Sequence, residues 1–323
     1  MAVPSGTIQA VSRTKTIAED VSNIITQIDP EETPFVSNIG EESVENSIYE
    51  WLVDNLNAAT TANAAIDADD APAPSSLAQL RANNYSQIFV KAVAVGGRYE
   101  AVKKYGMRSA MAYELAQRGS ELKLDIEMTL LSNNTAYGGA ANAASNTAGL
   151  MAWIRTNVNK NTAGVNPTLS GTTDGHPVTG RTASTARVFT EGMLKDVLQQ
   201  QWVKGGKPKQ IYMGAFNTGA AAAFPGLAQQ QYQAPAGPTT IVGAASVYWS
   251  QWGKLTFVPS RLMPQGVVYT IDPSKVTRAT LRGYQTFDLA RTGDSTRKQL
   301  LYEGGLKVHN EAAHGIIADL TTA

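Results

Sequence analysis

The sequence predicts an α+β fold on three observations. A long stretch in the first half carries apolar residues at helical spacing, strand-like runs gather late in the chain, and no internal repeat connects them. Its 323 residues are enough for one large domain or two modest ones, each with a hydrophobic core.

Residues 1–40 read as an extended arm with one short helix. Ile17, Val21, Ile24, Ile25 and Ile28 recur at helical spacing until Pro30 stops the run. Residues 47–56 form a strand-like run with Ile48, Tyr49, Trp51 and Val53, and residues 85–95 form a second with Ile88, Phe89, Val90, Val93 and Val95. The 28 residues between them have loop composition, too long for an ordinary hairpin connection, so the pair is expected as a protruding two-stranded arm.

The clearest helix covers 109–132, with Met111, Leu115, Gly119, Leu122, Ile126 and Leu130 along one face. Its 24 residues span about 36 Å, and Lys123 and Glu127 are spaced to pair at i,i+4. A Gly/Ala/Asn-rich stretch follows at 137–149. A second helix is expected over 190–204, closed by Gly205-Gly206. Short strands are expected at 210–213, 246–249, 255–258 and 267–271. A further one is read over 275–283, and a long one over 298–310 with a glycine-marked bend at Gly304-Gly305.

Composition excludes several function classes. No cysteine is present, which removes disulfides, zinc-thiolate sites and cysteine nucleophiles. The N-terminus lacks the pattern of a secretory signal, and no run approaches the ~20 apolar residues of a membrane helix; folding in the cytoplasm without membrane contact is expected. Lys plus Arg equals Asp plus Glu at 27 each, unlike a general nucleic-acid binder. The distribution is uneven. Between residues 17 and 72 stand thirteen acidic residues and no Lys or Arg, whereas 25 basic residues face 14 acidic ones from residue 73 onward.

Enzymatic chemistry finds no complete site, and no cofactor or metal is expected. Of the three histidines, His176, His309 and His314, the last two are five apart, off a common face of either helix or strand, and both are read as structural. No GxSxG elbow is present. Gly205-Gly206-Lys207-Pro208 has Pro where a phosphate loop needs Ser or Thr. Asp67, Asp69 and Asp70 suit a hard cation by charge but lack the turn glycine and distal Glu, so a solvated loop tip is preferred. Tyr248, Trp249 and Trp252 are read as packing rather than base stacking, lacking interleaved basic residues. Arg278, Arg282, Arg291, Arg297 and Lys298 are read as a mixed solvated face or subunit contact rather than a phosphate site.

The order of segments resembles the tailed-bacteriophage major capsid protein with its Johnson-type fold, and more closely the podovirus-type family formerly of unknown function. The residues that carry the resemblance are Thr33-Pro34-Phe35 with Ile39-Gly40, and Tyr49-Glu50-Trp51 with Asp54. Asn84-Tyr85, Gln87-Ile88-Phe89, Glu114-Leu115-Ala116 and Glu121-Leu122-Lys123 continue it. Late in the chain stand Asp288-Leu289-Ala290, Thr292-Gly293-Asp294-Ser295, Asn310-Glu311 and Ala313-His314-Gly315. The stretch 137–149 departs from the family pattern. The resemblance implies an N-terminal arm (1–40), an extended two-stranded loop (41–96), a peripheral domain (97–149 and 276–323) containing a spine helix (109–132), and an axial domain (150–275).

It further implies a virion structural subunit, not an enzyme, that forms hexamers and pentamers around double-stranded DNA contacted without sequence readout. Portal and scaffold or decoration proteins are the implied partners. A tail-tube subunit is the alternative, although such proteins are mostly β and the long helix argues against it. The charge split places assembly contacts on the acidic part: Glu41, Glu42, Glu45, Asp67, Asp69 and Asp70 are expected to approach basic residues of a neighbour, with Tyr49, Trp51 and Phe89 supplying burial.

Overall fold

The computed structural model describes residues 32–54, 56, 59–61, 63, 64, 67, 79–171, 174–224, 247–291 and 293–322. The helix expected within 17–28 lies outside them. Numbering elements in chain order, one sheet holds β1 (Gly40–Ser43), β10 (Val276–Leu289), β11 (Ser295–Val308) and β4 (Gln87–Gly96) side by side. A second sheet runs β5 (Val158–Asn159), β12 (Gly315–Ile317), β9 (Val268–Ile271), β6 (Gln210–Met213), β8 (Gly253–Pro259) and β7 (Val247–Ser250). β2 (Ile48–Val53) and β3 (Leu80–Tyr85) form a separate two-stranded sheet. Six helices accompany them among the described residues: α1 (Pro34–Asn38), α2 (Gly97–Ala101), α3 (Ala110–Leu131), α4 (Leu150–Trp153), α5 (Glu191–Val203) and α6 (Ala215–Ala222). The fold is α+β.

The helix read over 109–132 occupies Ala110–Leu131, with the Ser109 side chain accepting from the Ala112 N–H as its N-cap. Its C-terminal half buries Leu122, Ile126, Leu130 and Leu131 completely, each contributing about 1.5–3 kcal/mol. Met111 and Leu115 in the first half pack on a smaller cluster with Val93 and Val95 of β4. Lys91 of β4 ties the two elements by an ion pair to Asp125 at 2.7 Å. Glu127 does not pair with Lys123. It turns inward, fully buried, and its two carboxylate oxygens accept from the backbone N–H groups of Phe35 (2.9 Å) and Val36 (2.7 Å). A solvated i,i+4 pair is worth only a few tenths of a kcal/mol, less than leaving two buried amides unsatisfied.

The two-stranded arm is built differently from the sequence expectation. β2 pairs with β3, from Ile48↔Tyr85 to Val53↔Leu80, whereas residues 87–96 pair with β11. Ser86 lies between them, with its N–H donating to Ser47 O at 2.8 Å and its hydroxyl to Glu303 Oε1 at 3.0 Å. The chain changes sheets there because Asn84 is wholly buried: its amide donates to Leu306 O (2.8 Å) and Thr147 Oγ1 (3.1 Å) and accepts from Ala148 N–H (3.0 Å). The stretch 137–149 thus wraps Asn84.

Gly304 and Gly305 mark close approach as well as irregular register. A Cβ on Gly304 would lie 2.4 Å from Ala279 O, and one on Gly305 2.3 Å from the Tyr49 hydroxyl. Opposite them β10 shifts register between Thr280 and Arg282 and again before Gln285. β10 runs to Leu289, past the expected stop at 283.

The six-stranded sheet is covered on both faces. Along β6, Ile211 and Met213 enter one core with Leu194, Val197 and Leu198 of α5, while Tyr212 enters the other with Phe35 and Ile126. α5 ends as read: Gly205 at φ 83° donates to Trp202 O and Gly206 to Gln201 O, the 5→2 and 6→1 bonds of a Schellman motif. His314 sits just before β12 with no exposed surface, its Nε2 3.4 Å from Lys275 O, and burial pushes its pKa down to about 4.

Two outcomes follow for stability. Glu127→Ala leaves the Phe35 and Val36 amides without acceptors in a buried site, and is expected to lower the unfolding free energy in urea by about 2–4 kcal/mol; an unchanged midpoint and slope contradict the anchoring role. His314 is neutral when folded and gains a proton when unfolded below its ordinary value of 6.5. Its contribution to stability is therefore present above that value and is lost as pH falls toward 4, by up to roughly 3 kcal/mol. His314→Asn is expected to flatten that part of the stability-against-pH curve; superimposable curves refute the assignment.

Candidate functional site

The acidic residues after the arm find partners inside the subunit. β1 lies parallel to β10 from Gly40↔Thr277 to Ser43↔Thr280. This register sets Glu41 beside Arg278 at 2.7 Å and brings Glu42 to Lys307 of the next strand at 2.6 Å. The Thr280 hydroxyl donates to Glu41 and, together with Arg278, holds its carboxyl below the usual range. Lys307 does the same for Glu42. Arg278 lies over the Tyr302 ring at 5.4 Å. The premise that the acidic part and the basic body leave one another unpaired within a subunit therefore does not hold for these residues, nor for Glu50, which pairs with Arg81 across the ribbon.

Tyr49, Trp51 and Phe89 face the core of their own subunit, each less than a tenth exposed. Tyr49 stacks on Trp51, Trp51 packs on Trp153 at 5.4 Å between centroids, and Phe89 meets Tyr302. The Tyr49 hydroxyl donates to Leu306 O at 3.0 Å. The reason is the pleat: Tyr49 and Trp51 share the inward face of β2, while Ile48 and Leu52 on the other face are exposed. Glu45 and Asp67 are exposed. Asp69 and Asp70 lie outside the described residues.

The basic region is largely occupied too. Besides Arg278, Arg282 pairs with Glu303 at 2.6 Å and Lys298 with Asp288 at 3.0 Å, leaving Arg291 and Arg297 exposed. The histidines do not converge. His309 approaches Thr277, His176 packs edge-on against Tyr85, and His314 is internal. Glu311, whose burial raises its pKa, accepts from the Arg155 and Thr156 amides. Among the described residues no three His, Asp or Glu side chains gather as metal ligands, and no helix is long and apolar enough to cross a membrane.

What the molecule presents outward instead is apolar surface. The outer half of β10 exposes Tyr284, Phe287 and Leu289. A shallow groove of about 430 Å³ between β4 and α3 is lined by Ile88, Val90 and Met128, all more than two-fifths exposed. Sequence reasoning missed the β10 surface by ending that strand at Gly283. Gly283 lies within the register irregularity, and the aromatic residues beyond it are the available signal.

Comparison with known proteins gives the whole chain a context. The family model described as SU10 major capsid protein matches residues 4–321. The major capsid protein of Escherichia phage Phieco32 is 25% identical over 335 residues, covering 92% of each chain. Among solved structures, a chain from the cyanophage A-1(L) capsid asymmetric unit superposes with a TM-score of 0.65 at 13% identity, covering 97% of this chain and 100% of that one. A chain from the capsid of a native GTA particle gives 0.63 at 12% identity, covering 97% and 99%. The likeness in fold extends to an encapsulin complex of Synechococcus elongatus, at 0.55 and 14% identity over 98% and 97%. The tail-tube alternative gives way to these matches, and because the family match runs through nearly the whole length, the chain belongs to the SU10 major capsid protein family.

Proposed function

We propose that copies of this chain close into a head shell as hexamers and pentamers around double-stranded DNA, and that the subunit works by contact, without catalysis. In this reading residues 1–40 are the arm, 41–96 the extended loop, 97–149 with 276–323 the peripheral domain and 150–275 the axial domain. The shell is assembled in the host cytoplasm, becomes part of the virion, and meets a portal and scaffold or decoration proteins. Glu45, Asp67, Asp69 and Asp70 are the acidic residues assigned to contacts with a neighbour, since Glu41 and Glu42 are engaged at home.

The observation that carries this reading is the outer half of β10. Its eight last residues are exposed along an extended ribbon, including Tyr284, Phe287 and Leu289. Exposed apolar side chains clustered on one stretch of strand are what a surface awaiting a protein partner presents. Weak individual contacts suffice, because a subunit in a closed shell makes many of them at once.

Electron microscopy of the purified protein tests the reading. Closed polyhedral particles are expected; tubes, or dispersed subunits under every ionic condition, contradict it. Phe287→Ser with Leu289→Ser is expected to abolish closed particles while leaving the circular dichroism of the subunit unchanged, and normal particle yield from this variant removes β10 from the contact surface.

A further inference from the structure

From residue 197 to residue 271 the chain has no Asp or Glu, yet it has Lys204, Lys207, Lys209, Lys254 and Arg261. This block includes 225–246, which lies outside the described residues and has no charged side chain of either sign, so it brings no counter-charge. The fold concentrates the lysines. β6 and β8 are parallel, so their first residues lie at the same end of the sheet. Lys207 and Lys209 precede β6, Lys254 opens β8, and Lys204 caps α5. All four are exposed, and none makes a salt bridge among the described residues.

The tryptophans gather at the same end. Of the five in the chain, Trp51 and Trp153 are buried in the larger core. Trp202 and Trp249 are each 60% exposed, and Trp252 is half-buried. Trp202, Trp252, Lys207, Lys209 and Lys254 line one groove of about 340 Å³, and Lys254 lies over the Trp249 ring at 5.6 Å. The pairing of Trp249 with Lys254 across β7 and β8 supplies the basic partner that linear sequence did not reveal. A cationic groove rimmed by bare indoles is incomplete on its own: it suits a ligand with both negative charge and apolar side chains.

Segment 17–32 of the same chain has that chemistry. It holds Glu19, Asp20, Asp29, Glu31 and Glu32, with no Lys or Arg, alongside Ile17, Val21, Ile24, Ile25 and Ile28. Its five negative charges match the five positive charges of 197–271. Its root is close to the groove. Phe35 meets the Tyr212 ring edge-on at 5.6 Å, the Asn38 amide donates to the Tyr212 hydroxyl at 3.1 Å, and that hydroxyl donates to Gln210, next to Lys209. The segment's length, about 24 Å as helix and roughly 50 Å extended, covers the few residues of strand between Tyr212 and the groove.

We infer that the groove bounded by Trp202, Trp252, Lys207, Lys209 and Lys254 is the docking site for the acidic segment 17–32 of its own chain. Carboxylates of the segment meet the lysines and its isoleucines cover the indoles. This contact belongs to the single subunit and does not depend on shell formation.

The absence of native cysteine allows a clean test on the full chain. A nitroxide is attached at Thr26→Cys, and tryptophan emission of dispersed subunits is measured at low salt. Quenching is expected, approaching the share of three tryptophans in five, and is expected to be lost as salt screens the contact. The Lys204→Gln, Lys207→Gln, Lys209→Gln, Lys254→Gln variant is expected to lose it. Reversing the four lysines to Glu together with Glu19, Asp20, Asp29, Glu31 and Glu32 to Lys is expected to restore it, which separates charge pairing from misfolding. No quenching at low salt, or quenching indifferent to the lysines, overturns the inference. Quenching that grows with subunit concentration assigns the groove to a second copy, and oligonucleotide binding by an unquenched subunit assigns it to nucleic acid; either overturns it.

Discussion

The structure depends on one close approach, at Gly305 and Leu306 near the C-terminal end of β11. Three separate stretches of chain arrive there: the Tyr49 hydroxyl from β2, Asn84 from the end of β3, and Thr147 from the irregular stretch that follows α3. Any side chain at Gly305 would occupy the place of the Tyr49 and Thr147 oxygens. Because Asn84 answers both a carbonyl on β11 and an amide at Ala148, one buried amide fixes where the ribbon ends, where β4 begins and how 137–149 folds back. A buried polar network of this kind is costly when broken and specific when complete, so one arrangement of these segments is favoured.

The periodic parts of this fold were legible in the sequence. α3, α5 and the strands around β6 follow from apolar spacing, and even the glycine pair after α5 was read correctly as a terminator. What failed was long-range partnership. Residues 48–53 and 87–96 both look like strands, but periodicity says nothing of which strand pairs with which, and the short β3 between them reads as Leu-Arg-Ala-Asn-Asn-Tyr, poor in β-branched residues. Its stability comes from Asn84 and from the Ala82 and Tyr49 face it completes, neither visible locally. Glu127 misled for the same reason, since a carboxylate at helical spacing from a lysine looks solvated until the amides of a segment ninety-one residues earlier arrive.

The charge split was legible as a count and misleading as geography. Parallel pairing of β1 with β10 satisfies Glu41 and Glu42 inside the subunit, and a half-buried pair of that sort chiefly fixes register. The aromatics expected at a contact surface became core because alternation on β2 turns them inward. The outward apolar surface lies instead on β10, which runs on beside β11 after its other neighbour, β1, has ended at Ser43. The core aromatics of β2 are thereby turned away from solvent, and the exposed Tyr284, Phe287 and Leu289 of β10 belong to none of the buried clusters.

The parallel edge strand has a mechanical consequence. β1 follows directly from α1, whose first turn is clasped by Glu127. Tension applied to the chain before residue 34 first meets that clasp and then acts along the axis of β1. A strand pulled along its length loads its ladder bonds together, in shear, whereas one pulled sideways loses them one at a time. The two ion pairs at Glu41 and Glu42 bear on the same four residues, so this short joint resists pulling along the arm much better than its length suggests, and yields most easily to peeling from the Ser43 end.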